Sequence, residues 1–281
     1  MDDFEKIKDF ISNSNDLPSF PDLIVELNAR LATNKYSIKE LADLIENDIS
    51  ITSHILKLAN SPLFRAEKEI TRIQDAIVRI GISEVKKITY AASLFPLFSN
   101  IENMDATHFW KHSIMVAYIA EIFAELIAPD MDLDEIHICG LLHDMGIMIL
   151  GEFFPTELTG ILKNLFPDGR NINIGFLDIF NSMHAETGAL LLKRWNLPDK
   201  IVATVQFHHH PQLGPEEFRK MTKIIQMANT FANTSDFSMF QNFPSEQYPS
   251  NLKLDDRKRR AILNKLENKI AEINVLLTSA T

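Results

Sequence analysis

Apolar residues recur at three- and four-residue spacing along almost the whole of this chain, and alternating runs between tight glycine turns are scarce. That pattern argues against sheet-based folds and predicts an all-α protein. With 281 residues, 46% of them hydrophobic, the chain is long enough for a large core or two packed lobes. Helices are expected over 2–13, from Pro21 to about Thr33, from Ser37 onward, over 49–59 and 73–80, and from Ser83 to about Phe95. Ser37 and Glu40 form a capping box, and Gly81 closes the 73–80 helix. Beyond Asp105 the pattern places helices near 106–127, 134–150, 156–164, 173–180, 184–194, 198–208 and 215–232. The chain then divides into an N-terminal helix (1–16), a helical lobe (17–100), a second helical lobe (101–234), an irregular connection (235–254) and a terminal helix within 255–281.

Charge and cysteine content narrow the function classes. A formal net charge of -10 repels phosphate backbones unless a local basic surface intervenes. The stretch 37–60 could be taken for a helix-turn-helix, yet between Ser37 and Tyr90 eight Lys or Arg face eight Asp or Glu, so no basic footprint supports it. Nucleic acid is therefore an improbable partner. Arg257 to Arg260 form the one dense basic run, expected as a solvated face or a contact for an acidic partner or a second copy. The single Cys139 rules out an internal disulfide, MDDFEKIKDF lacks the order of a signal peptide, and Glu121 and Glu125 interrupt the longest apolar stretch. A cytoplasmic protein with no membrane span is expected.

One segment stands apart. His143 and Asp144 lie inside the apolar run LLHDMGIMIL, with no Lys or Arg within a helical turn of the carboxylate. A buried carboxylate needs a partner, and a divalent metal shared with imidazoles would serve. His108 and His112 are four apart, hence on one helix face, while His184 and the run His208, His209, His210 open or close apolar segments. His54, His137 and His210 are read as packed rings, and Trp110 and Trp195 as core walls.

These residues carry a resemblance. His112, the His143-Asp144 doublet, His184 with its trailing ETGALLLKRWNLP, and His208-His209 follow the order of the HD superfamily, which includes metal-dependent phosphohydrolases and the HD-GYP phosphodiesterases. The stretches LPSFPDLIVELN, LADLIENDISITSHILKLANSPLF and ITRIQDAIVRIGISEVKKI resemble the other half of the HDOD domain in particular, so that the likeness spans about residues 17–232. The resemblance implies an HD-like helical bundle for the second lobe. It also implies a divalent iron, manganese or zinc site of one or two ions on His112, His143, Asp144, His184, His208 and His209, with His108 and Asn229 as weaker candidates.

The chain departs from the catalytic members of that superfamily. Asn229 in IIQMANTFAN stands where they carry an aspartate, Ile147 where HD-GYP enzymes carry a lysine, and His108 where that branch has a glutamate; no Gly-Tyr-Pro follows the histidine run. A neutral amide is a poorer ligand for a hard cation, and the missing lysine removes a stabiliser of phosphate oxygens. The resemblance thus implies a bacterial signalling output module without catalysis, acting through a protein partner, a nucleotide ligand or a homodimer. The competing expectation is a metal-dependent phosphohydrolase acting on a nucleotide or cyclic dinucleotide.

Overall fold

A computed structural model gives the structure of residues 3–33, 35–61, 64, 68–98, 106–165, 174–233, 257 and 260–266. Every regular element among them is helical, as the periodicity requires. The chain divides into two compact units, one of Pro18–Ser99 with Leu263–Thr281, the other of Met1–Leu17 with Asn100–Ile262.

In the first of these units, α2 (Asp22–Ala32), α3 (Ile38–Ile45), α4 (Ile49–Ala59), α5 (Ile73–Ile80) and α6 (Ile82–Leu94) surround Leu41, Ile45, Ile55, Leu58, Ile73 and Val85. The expected capping box is present: the Glu40 amide donates to the Ser37 hydroxyl at 3.1 Å and the Ser37 amide to the Glu40 carboxylate at 2.7 Å. Asn60 acts as a clasp, donating to the Ile70 carbonyl and accepting from the Ile70 amide, both at 2.7 Å, and so closes the loop between α4 and α5. Helix α6 starts at Ile82 rather than at a Ser83 cap, because Gly81 adopts φ 88° and turns the chain directly from α5 into α6.

The other unit holds α1 (Asp3–Asn13), α7 (Ala106–Ile127), α8 (Leu133–Leu142), α9 (Met145–Phe153), α10 (Pro155–Leu165), α11 (Ile174–Arg194), α12 (Asp199–Gln206) and α13 (Arg219–Asn233). Helix α1 is tied to α11 by the Arg194 guanidinium, which donates to the carbonyls of Ile11 and Ser14, and Phe10 packs on Phe153 at 5.0 Å between centroids. Two expectations are corrected here. The helix expected over 134–150 is two helices, broken at His143 and Asp144; the helices expected over 173–180 and 184–194 are one, so His184 lies within α11 rather than opening it. Two short 3-10 turns, Pro211–Leu213 and Glu216–Phe218, precede α13, which shortens the helix expected from 215.

The stretch Leu133–Phe153 is long and apolar enough to cross a membrane by composition alone, yet 89% of its most apolar window is buried in the fold. Of the expected terminal helix, residues 257 and 260–266 are helical, and the connection 235–254 lies outside the described residues.

Candidate metal centre

The break between α8 and α9 is what aims two consecutive side chains at one point. In a continuous helix His143 and Asp144 would diverge by about 100° around the axis. Here His143 is the last, capping residue of α8, and Asp144 (φ -104°, ψ 10°) leaves helical geometry before α9 begins. The carboxylate thereby reaches imidazoles from four directions. Its Oδ2 lies 3.1 Å from His143 Nε2 and 3.6 Å from His112 Nε2 on α7; its Oδ1 lies 3.2 Å from His184 Nε2 on α11 and 3.5 Å from His208 Nε2, just past α12. His209 joins through its Nε2, 3.0 Å from that of His184.

Backbone carbonyls fix the imidazole tautomers. The Nδ1 of His143 faces Gly140 O, that of His184 faces Phe180 O, and that of His208 faces Val205 O, each at 2.7 Å. A carbonyl can only accept, so each Nδ1 carries the hydrogen and each Nε2 of a neutral ring presents a lone pair. Those lone pairs face carboxylate oxygens, which are acceptors too. The Nε2 atoms of His143 and His208 and the Oδ1 of Asp144 are buried with no hydrogen-bond partner, an arrangement a cation resolves and water-free packing does not.

The donor atoms form two groups that share Asp144: His112 with His143 on the Oδ2 side, and His184, His208 and His209 on the Oδ1 side, with donors in each group within 4.8 Å of one another. The residues therefore suit one ion of borderline character, or two bridged by the carboxylate. All but one are closed off: Asp144 is 5% exposed, and His112, His143, His184 and His208 at most 1%, whereas His209 is half-buried.

The weaker candidates fare differently. His108, one turn before His112, is half-buried and joins neither group. Asn229 is buried on α13, and its side-chain oxygen accepts from Asn233 Nδ2 at 2.7 Å. The histidines read as packed rings have local partners in two cases: His54 Nδ1 meets Ser50 O at 2.7 Å, and His137 pairs with Glu121 against the Tyr118 ring. Trp110 and Trp195 are buried.

Sequence reasoning missed the parts that hold the ligands. Gln226 Nε2 on α13 donates to the His209 carbonyl at 2.8 Å. Gly140, Gly146 and Gly188 allow the helices to touch at backbone distance, and their presence inside apolar helices was the available signal.

Burial governs protonation. It pushes the Asp144 carboxyl up, but the charge of His143 and contacts from His143, His184 and His208 outweigh it and hold the group well below the usual carboxylate range. Burial, together with neighbouring His143 and His184, lowers His208 from 6.5 to about 4 against the pull of Asp144; burial and the rings of His208 and His184 hold His209 well below its ordinary value. Between those two values an unfolded chain takes up a proton at His208 that the folded one refuses, so stability falls as pH drops from 6.5 to about 4. Asp144 works in a separate, more acidic window, since its contribution is lost only below the ordinary carboxylate value of 3.8. Denaturant titrations of the chelated protein between pH 7 and 4.5 should show stability falling with pH, with a reduced slope in His208→Asn. A flat profile, or the same slope in both proteins, contradicts these assignments.

Known proteins share this helical fold. Among curated relatives, an uncharacterized protein of Treponema pallidum is 27% identical over 240 residues, 85% of this chain but 45% of its own length. The chain thus spans less than half the length of that relative. Among solved structures, an HDOD domain protein of unknown function from Geobacter sulfurreducens superposes with a TM-score of 0.78 at 24% identity, covering 99% of this chain and 98% of that one. A Shewanella amazonensis protein called a "Putative phosphohydrolase" gives 0.72 at 22% identity over 98% of each chain. A Marinobacter aquaeolei protein called a "Putative signal transduction protein" gives 0.72 at 17% identity, over 98% of this chain and 60% of its own. At these identities the structures establish the fold. The HDOD domain model matches residues 17–211, two thirds of the sequence and all six converging site residues, and this chain belongs to the HDOD family.

Proposed function

We propose that this chain is a cytoplasmic signalling output module whose imidazole–carboxylate centre holds a divalent ion as a structural element, and which acts on a protein partner rather than on a phosphoester. The observation that carries the reading is the burial of the donor set. A catalytic metal keeps a coordination position open to water and substrate. Here four of the five imidazoles and the carboxylate are at least 95% covered, and among the described residues only the half-buried His209 gives the donor set an edge toward solvent, which supports a structural ion over one that meets a phosphodiester.

Two further features support it. Asn229 engages Asn233, and Ile147, 1% exposed, fills the place of the lysine that would stabilise phosphate oxygens. A bound metal would supply charge neutralisation for Asp144 and a fixed cross-link among α7, α8, α9, α11 and the end of α12. The name borne by the Marinobacter fold neighbour agrees with a signalling role.

The test is turnover. Chain loaded in turn with iron(II), manganese or zinc should hydrolyse neither bis(p-nitrophenyl) phosphate nor cyclic di-GMP above the rate of the metal in buffer. Hydrolysis that disappears in Asp144→Ala would establish the phosphohydrolase reading instead.

A further inference from the structure

Each side of the centre is framed by its own glycine contact. On the Oδ1 side, a Cβ added at Gly188 of α11 would lie 3.1 Å from the Gly146 amide nitrogen of α9 and 3.3 Å from Val205 Cγ1 of α12. These three helices hold the Oδ1-side donors or adjoin them. Gly146 follows Asp144 by two residues, Gly188 follows His184 by one helical turn, and Val205 supplies the carbonyl that fixes His208. On the Oδ2 side a Cβ at Gly140 of α8 would lie 2.5 Å from Ala117 Cα of α7, and Gly140 supplies the carbonyl that fixes His143, while His112 projects from α7.

We propose that Gly188 is a positioning residue of the metal centre: by letting α11 meet the backbone of α9 and the Val205 side chain of α12, it sets how closely Asp144 approaches His184 and His208. It has no ligand atom and acts only through separation. Ligand distances tolerate shifts of about 0.2 Å, which is the scale on which a 3.1 Å Cβ contact must be relieved. The inference rests on the centre binding metal, as proposed above.

The test is a cobalt(II) titration of the chelated chain, followed by visible ligand-field absorption. Gly188→Ala should bind its tightest cobalt at least tenfold more weakly and show an altered band, while circular dichroism remains that of the parent. Gly188→Ala with Val205→Ala removes one of the two close neighbours and should recover part of the affinity, and it carries the test if the single variant does not fold. Gly160→Ala, at a helical site where an added Cβ meets nothing within 4 Å, should titrate like the parent. If folded Gly188→Ala titrates like the parent, or if relief at Val205 recovers nothing, the positioning role is wrong although the metal centre stands. A parent chain that binds no cobalt overturns both.

Discussion

Asp144→Asn is expected to abolish the response of the protein to metal, and its effect on the metal-free protein reports the charge state of the rings around it. Asp144 is the sole anion among the six converging residues, and an amide is a weak ligand, so affinity should fall by more than about 100-fold. An ion present at 100 times its dissociation constant stabilises the folded chain by about 2.7 kcal/mol, and that increment should vanish from the thermal melt. The metal-free comparison separates two accounts of the site. If Asp144 were held by imidazolium rings as a buried ion pair, removing its charge would destabilise the fold by about 3–5 kcal/mol. If the rings are instead neutral, with Nδ1 hydrogens committed to Gly140, Phe180 and Val205, each Nε2 presents a lone pair to which an amide can donate, and the metal-free variant should be as stable as the parent. Melting curves of both proteins, with chelator and with manganese or zinc, decide between the accounts.

Gly146→Ala should damage the fold itself. An added Cβ would sit 1.9 Å from the His184 carbonyl oxygen and 2.6 Å from the Gly188 nitrogen, both backbone atoms of a buried helix that cannot rotate away. Relieving that overlap means separating α9 from α11, which exposes their packed faces and costs about 3 kcal/mol or more. In a unit of this size the melting temperature should fall by on the order of 10 °C, with loss of soluble yield. A variant that melts with the parent would mean that the two helices do not approach this closely in solution.

The all-α class and most helix positions were legible because the apolar period is nearly unbroken, and the capping box at Ser37 and Glu40 appears as its residues dictate. The break at His143-Asp144 was not. Neither residue is a helix breaker, and the apolar run continues through them, so a single helix was the natural expectation. The break follows from tertiary demand: His143 reaches the Gly140 carbonyl, and Asp144 turns toward rings supplied by α7, α11 and the segment after α12. The opposite error at 181–183 has a related cause. The expected helices left 181–183 between them, but Asn181 is buried in α11 and the helix runs on to carry His184 inward.

The ligand set was readable through the family resemblance and the anomaly of a carboxylate in an apolar run. Its closure was not, since burial depends on how α7, α8, α9 and α11 approach. Gly140, Gly146 and Gly188 set that approach, and a glycine inside a helix does not by itself say which neighbour it admits.

Metal retention by the intact chain tests the central claim most directly. Protein stripped with chelator, reloaded with zinc or manganese and passed through a desalting column should carry at least one ion per chain by elemental analysis, lost in Asp144→Asn. Parent protein that retains no ion above the buffer blank would contradict the account.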